Sequence, residues 1–153
     1  MTPLDYSIKH FSDLSPLELY QLLRLRISVF IIEQNCPYEE CDNKDLNAYH
    51  VLGKDEQNVI QACTRLLSAG TSYDNYSSIG RVVTSQQYRN TGEGRRLMSY
   101  SLQKMSELYP HNDIKISSQT YISKFYASLG FVATEEEYLE DDIPHIAMIK
   151  SKK

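Results

Sequence analysis

The sequence predicts an α+β or mixed α/β fold in which helices cover a mainly antiparallel sheet. Three observations lead to this prediction. Short strand-like segments recur along the chain, three segments with helical spacing of apolar residues interrupt them, and two of the strands are joined by a short polar turn typical of a hairpin. The predicted order is β-α-β-β-β-α-β-α-β-β, and strands that follow one another without a helix favour antiparallel pairing.

The first elements are a strand and a helix. The strand is predicted at Tyr6 to His10, and Ser15, Pro16 and Glu18 then form a helix start with an N-cap, a proline at the first position and a capping box. Apolar residues continue at helical spacing: Leu19, Leu22, Leu23, Ile27 and Phe30. We expect the helix to fade between Gln34 and Pro37, because a residue that precedes proline disfavours the α region.

The middle of the chain is predicted to be a loop followed by strands. The acidic, turn-rich segment from Tyr38 to Asn47 is expected to be a surface loop or a short helix. His50 to Lys54 and Val59 to Leu67 are predicted strands joined by a polar hairpin turn. A loop rich in Gly, Ser, Asn and Tyr, from Ala69 to Ser78, leads to a further strand at Ile79 to Thr84.

The second half begins with a glycine-containing turn that opens an amphipathic helix. Its apolar positions are Leu97 or Met98, Leu102, Met105, and Leu108 or Tyr109. Pro110 ends this helix, and Ile114 and Ile116 then alternate with polar residues as in a strand. The next apolar stripe is Ile122, Phe125, Tyr126 and Leu129. Gly130 takes the position after that helix. The last two strands are predicted at Phe131–Glu135 and His145–Ile149.

Length, composition and net charge limit the kinds of protein that this chain can be. With 153 residues, 41% hydrophobic and 24% charged, the chain is expected to form a single globular domain over residues 1–153. A net charge of −4 argues against nucleic acid as the main partner, although Arg89, Arg95 and Arg96 leave a local basic patch. No apolar run approaches the ~20 residues that span a bilayer, and the N-terminus lacks the apolar region of a signal peptide. We therefore expect a cytoplasmic protein without a membrane partner.

The three cysteines, Cys36, Cys41 and Cys63, predict neither a disulfide framework nor a metal site. An odd number of cysteines in a reducing compartment is expected to remain as thiols. Cys36 and Cys41 are spaced more widely than a zinc or redox knuckle, and no second cysteine or histidine pair completes four ligands. We expect no bound metal.

The turn from Arg89 to Gly94 predicts an anion site. Its glycines allow backbone N–H groups to approach a ligand, and the helix that follows adds its unpaired donors and positive dipole end. A P-loop is excluded because Arg95 and Arg96 stand where lysine and Ser/Thr are needed. A dinucleotide fingerprint is excluded because Arg89 replaces the first glycine and the next strand ends in Gln119 rather than in an acid. An ordinary surface turn remains the alternative on these residues alone.

The turn, with its pattern Arg-x-x-Gly-x-Gly, and the later Phe-Tyr-x-x-x-Gly-Phe segment from Phe125 to Phe131 resemble the GNAT superfamily of acyl-CoA-dependent N-acetyltransferases. The resemblance covers about Ile79 to Ile149. Further segments are similar to the small bacterial ElaA-like branch: Arg26 to Phe30, Glu33 to Tyr38, Asp42, His50 and Asp142 to Ile146. The resemblance to the GNAT superfamily implies a mixed, mainly antiparallel sheet of about seven strands that is splayed between strands 4 and 5.

The resemblance also implies a coenzyme A site. Its residues would be Val82, Val83, Thr84, Arg89, Asn90, Thr91, Gly92, Glu93, Gly94, Arg95, Gln119 and Tyr126. The amides of the turn would bind the pyrophosphate, and the strand before it would follow the pantetheine arm, with one N–H as the oxyanion donor. Gln119 stands where the family more often has asparagine. For Tyr126 the resemblance implies a general acid that protonates the leaving thiolate, the alternative being a side chain that only completes an apolar stripe.

The resemblance leaves the general base open among Glu33, Asp42, His50 and His145, of which Glu33 and His145 are favoured. The acids between residues 33 and 45 also suggest a cationic acceptor as a hypothesis.

The predicted function is an N-acetyltransferase that moves an acetyl group from acetyl-CoA to a primary amine of a small molecule or peptide, by direct attack in a ternary complex. No cysteine is placed like an activated nucleophile. The alternatives are a noncatalytic acyl-CoA-binding or sensing protein on the same fold, and a structural domain. Because the final strands of such sheets often supply interfaces, a homodimer is an open expectation.

Overall fold

The computed structural model describes residues 1–152. The strands are β1 (Asp5–His10), β2 (Tyr49–Lys54), β3 (Ile60–Leu67), β4 (Ser78–Thr84), β5 (Ile114–Gln119), β6 (Val132–Glu140) and β7 (Ile143–Lys150). The α-helices are α1 (Pro16–Arg26), α2 (Glu93–Leu108) and α3 (Ser123–Ala127). A π-helical segment, Ile27–Glu33, continues α1, and short 3₁₀ turns occur at Phe11–Asp13, Lys44–Asn47, Gln86–Tyr88 and Thr120–Ile122. The predicted order of strands and helices is confirmed.

The strands form two antiparallel sheets, in the orders β1-β2-β3-β4 and β5-β7-β6. The two sheets meet where β4 and β5 begin, in parallel. There the Ser77 N–H donates to the Asp113 carbonyl at 3.1 Å, and the Lys115 N–H donates to the Ser77 carbonyl at 2.9 Å. Farther along, the two strands pair with other neighbours and leave a cleft between them. The predicted splay between strands 4 and 5 is confirmed.

The start of α1 follows from its first residues. The Ser15 hydroxyl accepts a hydrogen bond from the Glu18 N–H at 3.0 Å, and the Glu18 carboxylate accepts one from the Ser15 N–H at 2.9 Å. This is the predicted capping box, which satisfies two N–H groups that the helix itself leaves unpaired.

The end of α1 differs from an ideal helix. From Ile27 onward it widens into a π-helix, in which the Gln34 N–H donates to the Val29 carbonyl five residues back. Ile27, predicted to face the core, is 39% exposed, because the buried face of the helix runs through Arg26 and Val29 instead. The prediction that the helix ends before Pro37 is confirmed.

The core lies on both faces of the first sheet. Neighbouring residues of a strand point to opposite faces, and Val51 packs in the cluster that contains α2 while Leu52 packs in the cluster that contains α1. α2 contributes Leu97 and Met98 to its side. α2 and α3 follow the diverging ends of β4 and β5, and they contribute Met98 and Tyr126 to the lining of the cleft.

β6 is longer than the predicted strand, which ended at Glu135. Its middle is a run of acidic residues that disfavours a strand by propensity. β6 lies at the edge of the second sheet, however, where charged side chains reach water on both faces and discourage pairing with another chain. Among residues 1–152, no helix combines the length and the apolar character needed to span a bilayer.

Candidate active site

The cleft between the diverging strands has a volume of about 720 Å³. Its walls come from β4, β5, the π-helical segment and the hairpin of β6 and β7. Eight of the predicted site residues line it: Glu33, Val82, Val83, Thr84, Arg89, Gln119, Tyr126 and His145. Candidates from distant parts of the sequence therefore share one cavity, and the rest of the predicted turn, residues 90–95, follows Arg89 directly.

The turn presents a continuous row of unpaired backbone donors. The Arg89 N–H donates to the Gln86 carbonyl, and the next N–H that finds an acceptor is that of Arg96, which donates to the Gly92 carbonyl at 3.2 Å. Within residues 1–152, the six N–H groups of residues 90–95 therefore have no acceptor. At the first turn of a helix, such donors together with the helix dipole form an anion site.

The space around the two glycines of the turn shows whether a ligand can approach the backbone there. Gly92 has a φ of +89°, a conformation that favours glycine in any protein. Gly94 has no such φ, and a Cβ built on it would meet nothing within 4 Å. The folded chain thus leaves open space above both glycines, and the open row of N–H groups fits an anionic group that approaches the backbone closely.

Two charged side chains at the start of α2 face away from the turn. The buried Glu93 carboxylate accepts hydrogen bonds from the Leu4 N–H at 2.9 Å and from the Tyr6 hydroxyl at 2.8 Å. Arg96 donates to the same carboxylate and to the Leu4 carbonyl. Glu93 and Arg96 therefore anchor the turn to β1, so any ligand contact of Glu93 is left to its backbone. Arg95 donates to the Ser128 hydroxyl at 2.8 Å and so joins α2 to the end of α3.

Arg89 forms an ion pair across the cleft with Glu33. Its guanidinium donates through Nη1 to Glu33 Oε2 and through Nη2 to Oε1, the second bond at 3.0 Å. Both side chains are partly exposed, at 34% and 42%. The hydrogen bond from Arg89 lowers the pKa of the Glu33 carboxyl, which weakens Glu33 as a base while the pair persists.

Tyr126 lies on α3 and is buried against the rings of Phe125 and Phe131, which meet it edge to face at 5.3 and 6.0 Å. It both packs in the core and lines the cleft. Burial raises the pKa of the phenol to about 12. The hydroxyl is therefore protonated at neutral pH, as a proton donor must be.

His145 lies on β7, directly opposite Gln119 in the register of β5 and β7. Its ring is buried and stacks on Tyr138. The Nδ1 atom is 2.7 Å from the Ile143 carbonyl, to which it donates when it carries the proton. In that tautomer Nε2, which is 3.5 Å from the Glu140 carboxylate, is the nitrogen left to accept a proton.

Arginine side chains bind the acidic segment, residues 38–47, and these contacts were not predicted from the sequence. Six side chains form what we call the arginine–carboxylate cluster: Arg26, Arg65, Arg81, Glu40, Asp42 and Asp45. In it, Arg26 donates to Glu40 at 2.5 Å and to Asp45 at 2.8 Å. Arg65 donates to Asp42 at 2.8 Å and to Asp45 at 3.2 Å. A signal for it existed, because Arg26 follows Leu22 by four residues and precedes Val29 by three, on the buried face.

The cluster changes the interpretation of the acids and bases near the cleft. Glu40, Asp42 and Asp45 are paired inside the protein, so their number is no argument for a cationic acceptor. Asp42 lines the cleft, but both of its oxygens accept hydrogen bonds from Arg65. His50 is fully buried, donates toward the Asp45 carbonyl at 3.2 Å and does not line the cleft. Of the four candidate bases, Glu33 and His145 are the two best placed.

Arg81 joins the cluster to the cleft wall. β4 carries one more residue than β3 between two paired positions, so it bulges, and Arg81 within the bulge has a left-handed φ of +50°. Its guanidinium donates to Glu40 at 2.7 Å and lies over the Tyr38 ring. The acidic segment thereby fixes the strand that forms one side of the cleft.

Comparisons with known proteins agree with this arrangement. The sequence model of one protein family, the acetyltransferase (GNAT) domain, matches residues 20–152 of this chain. The ElaA protein of Escherichia coli K12 is 36% identical over 149 residues, 96% of either chain, and its crystal structure has a TM-score of 0.88. The crystal structure of an acyl-CoA N-acyltransferase from Pseudomonas aeruginosa has a TM-score of 0.89 at 41% identity, over 97% of this chain and 100% of that one. The chain therefore belongs to the GNAT acetyltransferase family, in the branch that contains ElaA, whose fold binds acyl-CoA as the co-substrate for transfer to an acceptor.

Proposed function

We propose that this acyltransferase is an N-acetyltransferase that moves an acetyl group from acetyl-CoA to a primary amine of a small molecule or peptide. The observation that carries the proposal is a combination of three features: the diverging strand β4 and the protonated phenol of Tyr126 line one cleft, and the six unpaired N–H groups of residues 90–95 directly follow Arg89, which lines it too.

The donor would bind along β4 and the turn. The N–H groups of residues 90–95 suit the pyrophosphate of coenzyme A, and Arg89 supplies a guanidinium beside them. Val82, Val83 and Thr84 offer backbone groups to the pantetheine arm, and one of their N–H groups would donate to the thioester oxygen as it gains charge. Gln119, on the opposite wall, offers its side-chain amide to the same arm.

The chemistry follows direct attack in a ternary complex. The amine nitrogen attacks the thioester carbon, a C–N bond forms and the C–S bond breaks. Tyr126 would donate its proton to the departing thiolate, and the proton lost by the amine would pass to His145 or Glu33, directly or through water. Burial raises the pKa of this phenol, so the phenolate left after transfer would take up a proton again before the next turnover.

Two measurements test the proposal. Acetyl-CoA in excess should raise the melting temperature, because a ligand that binds only the folded state stabilises it. A panel of primary amines should then show release of free coenzyme A. If no melting shift occurs, the donor site is wrong. If acetyl-CoA binds but no amine on a broad panel is acetylated, the noncatalytic sensing alternative is favoured.

Tyr126→Phe tests the general acid. Removing the proton donor should lower kcat by about 10²–10⁴-fold, while coenzyme A binding changes little because the ring still packs. The matched control is Tyr109→Phe, which removes a hydroxyl from a partly buried tyrosine just after α2, outside the cleft. Unchanged turnover in Tyr126→Phe would remove the proposed role. The single domain over residues 1–153, the cytoplasmic location and the homodimer remain predictions, the last testable by size-exclusion chromatography with light scattering.

A further inference from the structure

The ion pair of Arg89 and Glu33 links the two sides of the cleft. Arg89 is the first residue of the anion-binding turn, and Glu33 is the last residue of the π-helical segment on the other wall. Both terminal nitrogens of Arg89 are used by Glu33, and Nη2 also lies 3.5 Å from the Thr84 carbonyl. Glu33 therefore occupies the bidentate face of a guanidinium that borders the unpaired N–H groups.

A bound phosphate would compete with Glu33 for that guanidinium. Arginine recognises phosphate with the same planar pair of N–H donors that it offers to a carboxylate. The existing pair is partly exposed, and such pairs contribute little to stability because water and salt replace them easily. A pyrophosphate held by six N–H groups carries more charge than one carboxylate, so the exchange favours the phosphate.

Exchange would leave Glu33 without a partner. Within the part of the chain that the structure describes, Arg89 is its sole hydrogen-bond and ion-pair partner. Three other acids line the cavity: Asp42 accepts from Arg65, Glu140 Oε2 lies 3.5 Å from His145 Nε2, and Asp141 has no ion-pair partner among residues 1–152. A freed Glu33 carboxylate would face the cavity from the π-helical segment, opposite the strand that is proposed to carry the donor.

We propose that Arg89 and Glu33 form an exchange pair: the phosphates of the donor take Arg89, and the freed Glu33 carboxylate binds the ammonium group of a cationic acceptor. This inference rests on the proposed function. It assigns Glu33 to acceptor binding rather than to proton transfer, and it makes donor binding promote acceptor binding. Because such coupling is reciprocal, a cationic acceptor bound at Glu33 tightens donor binding by the same factor.

A double-mutant cycle with coenzyme A as the probe tests the exchange without any acceptor. Calorimetry would give the affinity of the wild type, Glu33→Gln, Arg89→Gln and the double variant. Glu33→Gln should bind coenzyme A about two- to five-fold more tightly, the range expected for loss of one exposed ion pair. In the Arg89→Gln background the same substitution should change nothing, because the competition acts through Arg89.

One control variant and the Arg89→Gln background separate this mechanism from plain charge repulsion. Glu39→Gln removes one exposed acid near the cleft that has no contact with Arg89, and should leave the affinity unchanged. Equal tightening by Glu33→Gln with and without Arg89 would overturn the exchange in favour of through-space repulsion, and no tightening at all would also overturn it. If the wild type does not bind coenzyme A, the proposed function itself fails, which is a distinct result.

Carboxyl NMR gives a second, independent readout. In the wild type, saturating coenzyme A should move the pKa of Glu33 upward, toward its ordinary value, because the hydrogen bond from Arg89 is lost. In Arg89→Gln the pKa of Glu33 should already be near that value and respond less. An equal response in both proteins contradicts the exchange.

Discussion

The arginine–carboxylate cluster and the exchange pair use the same chemical groups in opposite ways. The Arg26 side chain is 1% exposed and contacts two carboxylates, whereas the Arg89 side chain is 34% exposed and contacts one. Inside the protein no water or salt competes for the guanidinium, and losing a partner strands a buried charge. At the cleft surface both competitors are present, so the pair can open. Burial, rather than the identity of the pair, decides whether an arginine–carboxylate contact is a fixed support or an exchangeable one.

The largest expected effect comes from breaking the buried side. Arg26→Met keeps an apolar stem but leaves Glu40 and Asp45 with one arginine partner each, so the free energy of unfolding should fall by about 3–5 kcal/mol. Urea denaturation measures it. The matched control is Arg24→Met, two residues earlier on the exposed side of α1, which should change stability by no more than about 0.5 kcal/mol. Similar small effects for both variants would show that the cluster carries little stability.

Acid should open the cluster as well. Burial alone would raise the pKa of Asp45, but its contacts with Arg26 and Arg65 lower the pKa overall, and the pKa of Asp42 is lowered for the same reasons. A lowered pKa means that stability is present above the ordinary value of 3.8 and is lost as the pH falls below it. We expect a loss on the order of 1–3 kcal/mol in denaturation curves below that pH. Asp42→Asn should flatten this dependence, and an unchanged slope would contradict the assignment.

The bulge at Arg81 offers a smaller, conformational comparison. Arg81→Ala and Arg81→Gly both lose the contact with Glu40, but only glycine accepts the left-handed φ without cost. The glycine variant should therefore be more stable by about 1 kcal/mol. The same two substitutions at Arg24, in an ordinary helical conformation, should give the reverse order, with glycine less stable by a similar amount. The same order at both positions would mean that the bulge relaxes once Arg81 is replaced.

The smallest effect is expected at the exposed pair. Glu33→Gln should change the free energy of unfolding by less than about 1 kcal/mol, and the difference from the wild type should shrink in about 1 M salt, where exposed charges are screened. Denaturation at low and high salt measures both. A salt-independent loss of several kcal/mol would place Glu33 with the cluster instead.

Local rules were sufficient for most of the fold. The Ser15 capping box, the hairpin after Lys54 and the glycine at position 130 each depend on a few neighbouring residues, and the structure confirms them. The turn at Gly92 was predictable from its own sequence as well. Its conformation and its unpaired N–H groups depend on neighbouring residues and on the helix that follows, and not on residues far away in the chain. The resemblance to the GNAT superfamily then supplied the splay of the sheet, which local periodicity does not contain.

What could not be predicted from the sequence depends on contacts between distant residues. The acids at positions 40 and 45 look like solvated surface charges until the fold brings Arg26 and Arg65 beside them. The pairing of Glu33 with Arg89 joins residues 56 positions apart. No single-sequence pattern encodes that proximity, and it changes the chemistry of the site because a paired carboxylate is a weaker base than a free one.

The π-helical segment, which carries Glu33 on one wall of the cleft, has a geometry that depends on the number of its residues as well as on their identity. A π turn holds an extra residue relative to an α turn, so removing one residue between Ile27 and Glu33 would restore α spacing. Every side chain beyond the deletion would then turn by about 100° around the axis. Glu33 would leave Arg89, and a neighbouring residue would take its place, while both sheets and the turn stayed as they are. In an enzyme lineage, a single deletion here would therefore replace the side chain that faces Arg89, and with it both the proposed acceptor contact and the competition for Arg89.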